Sequence, residues 1–128
     1  MGTIAVGERN KMLDALVGRT TYTANAAFYA KLHIGDPGAA GTSNPATDTT
    51  RQATTFGAGA ATGAISNTAA VTWTVLATAD PDTITHVSFW TASSGGTFLG
   101  SDDLPSSKVV NDGDSLTIPI GDNDLTIT

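Results

Sequence analysis

The sequence predicts a mainly β fold: an antiparallel β-sandwich or barrel of about 7–9 strands with one amphipathic α-helix at its N-terminal end. Three observations predict it. Thr83 to Gly100 reads as two strands joined by a polar turn, Ser93-Ser94-Gly95-Gly96, whose glycines accept the positive φ of a tight reversal. Short runs of alternating apolar and polar residues recur from Ala26 onward, punctuated by Gly, Pro, Asn and Asp in the manner of antiparallel strands. Helical spacing shows only near the start.

That helix is expected over Ala5 to Val17. Met12, Leu13, Leu16 and Val17 form one apolar stripe, with Glu8, Arg9, Lys11 and Asp14 opposite and Gly18 placed to end it. A helix this short needs a surface to cover its stripe, either its own sheet or a neighbouring subunit. Ala26 to Ile34 alternates cleanly: Phe28, Ala30, Leu32 and Ile34 inward, Tyr29, Lys31 and His33 outward. Gly35-Asp36-Pro37-Gly38 stops it, and Ala39 to Thr50 reads as an exposed loop. Arg51 to Phe56 is a short strand and Gly57 to Gly63 a Gly/Ala connection.

Ala64-Ile65-Ser66 and Val71, Trp73, Val75 are further strand runs before the turn Asp80-Pro81-Asp82. In the hairpin, Ile84, His86, Ser88 and Trp90 share one face and Thr85, Val87 and Phe89 the other. Large apolar groups on both faces place this strand centrally, packed on each side. Phe98 and Leu99 resume after the turn, and Ser107 to Val110 is a separate short strand. Leu116, Ile118 and Ile120, with Pro119 marking an edge, follow the turn Asn111–Asp114. Leu125 and Ile127 form the last strand, after Gly121–Asp124. The chain divides into a helix and linker over residues 1–25 and a β-sandwich over 26–128, one domain overall.

Composition narrows the function. Of the 128 residues, 40% are hydrophobic, enough for a core, and only 14% are charged, well under the ~25% of ordinary soluble domains. Thr, Ala, Ser and Gly stand where Lys and Glu usually do, which suits a surface packed against protein neighbours. A net charge of −6 excludes phosphate neutralisation and so argues against nucleic acid. The charge is uneven. Residues 1–35 hold four basic and two acidic side chains, net +2, whereas the remainder holds two basic side chains and ten aspartates, net −8. A basic end on an acidic body favours head-to-tail contact between copies; alternatively, turns simply prefer Asp. There is no cysteine, so disulfides and thiolate chemistry are excluded. The first residues lack the apolar core of a secretory signal, and no apolar run suits a membrane span. Synthesis in the cytoplasm without membrane insertion is the expectation.

Site chemistry is sparse. His33 and His86 are the only imidazoles and Glu8 the only glutamate, and no Gly-x-Ser-x-Gly elbow accompanies the many Ser and Asp. His86 is expected as a hydrogen-bonded structural residue in its strand beside Trp90, and His33 at the surface or an interface. Asp112, Asp114, Asp122 and Asp124 resemble fragments of a calcium loop without its bidentate glutamate, and turn chemistry accounts for them equally. Trp73 and Trp90 are read as core, with a carbohydrate platform as the alternative. No cofactor is implied.

Several segments together carry a resemblance: Asn10-Lys11-Met12-Leu13-Asp14-Ala15-Leu16, Leu32-His33-Ile34-Gly35-Asp36-Pro37-Gly38, Arg51-Gln52-Ala53, Ala64-Ile65-Ser66-Asn67, Ile84 to Trp90, and Gly95-Gly96-Thr97-Phe98-Leu99. In this order the chain resembles a family of small virion proteins of actinobacterial tailed phages, labelled variously minor capsid, decoration, tail fibre or minor tail protein. It departs where a Tyr often precedes the Arg, since Thr50 stands before Arg51. The resemblance implies a β-rich accessory protein on the phage particle and not an enzyme. The leading expectation is a capsid decoration protein that binds and stabilises the assembled major capsid protein, as a homo-oligomer and by analogy a trimer. The alternatives are a tail fibre or minor tail protein touching the host surface, and a carbohydrate-binding module. Met12, Leu13, Leu16, Val17, Asp36, Pro37 and Arg51 are the expected interface residues.

Overall fold

The computed structural model describes residues 2–57, 63–78 and 80–126. Its elements, in order, are β1 (Thr3–Ile4), α1 (Val6–Leu16), β2 (Phe28–His33), β3 (Gln52–Thr54), β4 (Ala64–Ser66), β5 (Val71–Trp73), β6 (Asp82–Trp90), β7 (Phe98–Val110), β8 (Leu116–Ile118) and β9 (Asp124–Thr126). Seven strands make one sheet in the order β3-β2-β6-β7-β1-β9-β4, and β5 and β8 pair separately. The large sheet curls into a half-barrel. All its pairings are antiparallel except β1 with β9. The mainly β class and the N-terminal helix match the expectation from sequence.

The β6–β7 hairpin is the spine. Gly95 and Gly96 hold φ of 63° and 74° in its turn, the left-handed region that L side chains resist. β2 pairs on its other side with β6, Leu32 opposite Val87 and Ala30 opposite Phe89. These four fully buried side chains face the core with Trp73, Leu76 and Ile118, each of the larger ones worth on the order of 2 kcal/mol of burial. Phe28, Phe56 and Phe89 continue it in two edge-to-face contacts, with centroids 5.8 and 5.2 Å apart.

Several local expectations need correction. Ser107 to Val110 is not a separate strand, because β7 runs unbroken from Phe98 to Val110. Its middle reads as polar because the ladder breaks there: the step from Ile84 to His86 on β6 spans Lys108 to Asp103 on β7. This bulge accommodates Pro105, which has no N–H to give the ladder. β1 was not foreseen, since two residues carry no periodicity. It pairs with β7 and β9 inside the sheet. Gly100 makes room, for a Cβ there would lie 2.4 Å from the Thr3 carbonyl oxygen. Val75 and Ile120, expected to continue their alternations inward, are exposed, because β5 and β8 end at Trp73 and Ile118. Most of the Gly57–Gly63 connection, and Ile127, lie outside the described residues.

The Ala39–Thr50 segment is stitched down rather than free. Ile34 N–H donates to Asn44 O at 2.9 Å and Ala46 N–H to Leu32 O at 3.1 Å, returning the chain along β2. Asp48 is buried and accepts the N–H groups of Thr50 and Ala77 at 2.8 and 2.9 Å. Gly41 abuts the Phe98 ring, so the loop reaches across the face of β2, β6 and β7 that is turned away from the core. Both faces of β6 are thereby covered, as the sequence predicts.

Asp102 on β7 is buried beside β9, where its Oδ2 accepts the Asp124 N–H at 2.6 Å. Burial raises its carboxyl to about 6 despite that hydrogen bond. A carboxyl raised in the folded state keeps its proton where the unfolded chain has lost it. Stability therefore falls as pH rises from about 4 to 6, by up to about 3 kcal/mol. Asp102→Asn retains an acceptor without the charge. Urea unfolding from pH 4 to 8 is expected to show wild type losing stability relative to this variant through that window; a constant difference would refute the assignment.

Candidate functional site

The helix that sequence analysis singled out is seated the opposite way from its pattern. Ala5 N–H donates to Leu99 O at 2.7 Å, so the chain leaves β1 at the start of β7 and turns directly into α1. At the other end Gly18 takes φ of 77° and Arg19 N–H returns to Asp14 O at 2.8 Å, closing the last turn. Glu8, expected on the solvated side, is only 5% exposed. Its carboxylate accepts Lys11 Nζ at 2.7 Å and Tyr22 Oη at 2.9 Å, and it sits in the first helical turn, where the backbone dipole favours an anion. Burial and the Glu8 carboxylate both raise the Tyr22 hydroxyl. This bond ties α1 to the 19–27 linker through its polar side.

The apolar stripe consequently faces outward. Leu13 is 58%, Leu16 80% and Val17 69% exposed, and Val6 joins them seven residues before Leu13. Met12 is half-buried. The chain's own sheet does not cover the stripe. Arg9 lies on the same side, and Ile4, Val6, Arg9, Asp36 and Phe98 line one open groove at the helix start.

The remaining expected interface residues divide. Asp36 is exposed at that groove, its Oδ1 accepting Gly38 N–H at 2.8 Å. Pro37 is fully buried, so its ring packs within the chain. Arg51 staples the hairpin turn. Its guanidinium lies 4.1 Å from the centroid of Trp90 and donates to Ala92 O at 2.8 Å and Gly95 O at 2.6 Å, combining cation–π attraction with charge-assisted bonds.

Beneath Arg51 runs a buried polar chain. Trp90 Nε1 donates to Ser88 Oγ at 2.8 Å, Ser88 Oγ lies 2.7 Å from His33 Nε2, and His33 Nδ1 lies 2.8 Å from Ser43 O. A carbonyl only accepts, so Nδ1 carries the proton, and Nε2 must then receive the Ser88 hydroxyl. Every member is satisfied with His33 neutral, consistent with burial lowering its basicity. His33 is therefore buried, not at the surface, because Ser88, Trp90 and the returning loop enclose it. Its neighbour Ile34 is exposed instead. The Ser88–His33 spacing is that of a nucleophile and its base, but both residues are 0% exposed and the third partner is a carbonyl. His86 is half-buried, opposite His33, with Nδ1 2.8 Å from Thr85 Oγ1. Ser88 and Glu8 were missed as organising residues. The available signals were Ser88 alternating in step with His86 and Trp90, and Glu8 as the lone glutamate.

Trp73 and Trp90 are 1% and 8% exposed, so neither offers an aromatic face to a sugar. Trp73 Nε1 donates to Thr50 O at 2.9 Å. Asp112 accepts Thr78 N–H at 3.2 Å, Asp114 accepts Asn111 N–H at 2.8 Å, and Asp124 accepts the Ser66 hydroxyl. Among the described residues no three such side chains converge as metal ligands, and no helix is long and apolar enough to cross a membrane.

A family model described as Podophage GP4 fiber I protein gp80 matches residues 5–126. Neither an actinobacterial host nor a capsid position follows from that match. No curated protein matches the chain.

Two substitutions separate the buried chain from the exposed stripe. Ser88→Ala leaves the Trp90 N–H and His33 Nε2 unpaired in a dry site and is expected to cost about 2–4 kcal/mol in urea unfolding. Leu16→Ala is expected to change stability by under ~0.5 kcal/mol. A large loss on Leu16→Ala would mean that the stripe is covered within the monomer.

Proposed function

We propose, given that the chain belongs to the Podophage GP4 fiber I protein gp80 family, that it is a structural subunit of a virion fibre, joined to its neighbours through α1. The single observation carrying the interface is the inverted helix. Glu8 is buried while Leu13, Leu16 and Val17 lie in solvent, and an exposed apolar patch of this kind marks a protein contact. The charge-poor composition supports the same reading, since few charges are desolvated on assembly. A sealed Ser–His pair and two covered tryptophans favour a structural role over hydrolysis or glycan capture.

Capsid decoration on the major capsid protein, with the chain as a trimer, is the second reading, and the exposed stripe serves it equally. The family match favours the fibre. Electron microscopy of particles carrying a gold-labelled chain separates them. Label at the fibres is the expected result, whereas label in a regular lattice over the shell would establish decoration. Particles assembled with Leu16→Glu should lose most of the chain while the purified variant keeps wild-type circular dichroism. Full incorporation of that variant would refute α1 as the contact.

A further inference from the structure

We infer that α1 of one copy docks on the acidic end of a second copy, so that the chain associates head to tail. This names the partner within the fibre reading and rests on it. The strand ladder sets the geometry. β1 meets β7 at Gly100 and Ser101, so α1 leaves the sheet where β7 begins. Asp82 meets Val110 where β7 ends. β6 covers the same span in the seven steps from Phe89, opposite Gly100, to Asp82, opposite Val110, which sets these ends roughly 23 Å apart.

The two ends complement each other. Around α1 the exposed stripe of Val6, Leu13, Leu16 and Val17 is bordered by Arg9 and by Arg19, whose Nε lies 3.6 Å from Asp14 Oδ1 on the same helix. Arg51 lies toward the same end, on the turn that follows Trp90. At the far end stand Asp80, Asp82, Asp112 and Asp114, and Lys108 is the only basic residue after Arg51 in the sequence. The carboxylates are held in place: Asp82 accepts Thr47 N–H at 2.7 Å, Asp112 the Thr78 N–H, and Asp114 the Asn111 N–H. Between them Val75 and Val109 are 73% and 65% exposed. Leu76 N–H bonds to Asp114 O and Gly113 N–H to Leu76 O, both at 2.8 Å, which keeps Val75 against the acidic turn. Both ends are apolar at the centre and differ in charge: Arg9, Lys11, Arg19 and Arg51 against Glu8, Asp14 and Asp36 leave the helix end at net +1, while Asp80, Asp82, Asp112 and Asp114 against Lys108 leave the far end at net −3. Such a pair steers and registers association. Because the patches differ and sit at opposite ends, the contact is heterologous and propagates instead of closing as a twofold dimer.

The test uses the full chain in sedimentation velocity and native mass spectrometry at low salt. Each patch is smaller than a standard interface, so association is expected to show by about 0.5 mM and to weaken with added salt. Leu16→Glu removes the helix end, and the double variant Asp80→Lys/Val109→Lys removes the acidic end. All three positions are exposed, and circular dichroism checks the fold. Each variant alone is expected to weaken association at least roughly tenfold. Mixed, they each retain one competent end and are expected to form a 1:1 dimer that goes no further. Wild type that stays monomeric would overturn the inference. So would a helix variant that fails while the acidic variant associates normally, the signature of helix-to-helix pairing, or a mixture that yields no dimer. Labelled particles test the fibre reading separately, so either can fail without the other.

Discussion

Everything in this fold hangs on the β6–β7 ladder. It supplies the central strand of the half-barrel, the rail on which β1 is threaded, and the long axis that separates the helix from the acidic turns. Strands of three residues such as β3, β4 and β9 have too few hydrogen bonds to stand alone. β3 persists because the longer β2 already orders one side of its pair, while β9 and β4 are held through β1, itself paired to β7, and through the Asp124 N–H bond to Asp102 on β7. The bulge around Pro105 lets that ladder continue through a proline, at the cost of local register.

The satisfaction of buried polar groups is the second constraint, and it decides orientations that hydrophobicity does not. His33 faces away from the apolar core, where Ser43, Ser88 and Trp90 complete its hydrogen bonds. With all partners made, such a chain helps specify one arrangement of loop and hairpin; half-made, it would destabilise both. Glu8 applies the same rule to α1. A carboxylate with two donors in a helical first turn outweighs the pull of an apolar stripe that would have needed the sheet beneath it.

The outcome is a molecule whose interior is closed and whose unfinished surface is at its ends. Aromatic residues that might have served a ligand are spent inside, Trp73 on Thr50 and Trp90 between Ser88 and Arg51. What remains outside is aliphatic and small, with charge divided by position. The proposed packing of such a chain against like neighbours would use that distribution, since association depends on apolar contact while charge selects register.

The amino-acid sequence by itself determined the β class, the central hairpin with its Gly95-Gly96 turn, the single helix ending at Gly18, most strand positions, and the asymmetry of charge. These are local properties, written in alternation, turn chemistry and composition. Only the tertiary structure decided which face of α1 is buried, that His33 lies inside and Pro37 with it, that residues 98–110 form one strand, and that Thr3–Ile4 enters the sheet. Each of these depends on partners distant in sequence: Tyr22 for Glu8, Ser88 for His33, Ile84 and His86 for the β7 bulge, Gly100 for β1. Periodicity shows which residues share a face, but which face turns inward is settled by the hydrogen bonds and close contacts waiting on each side.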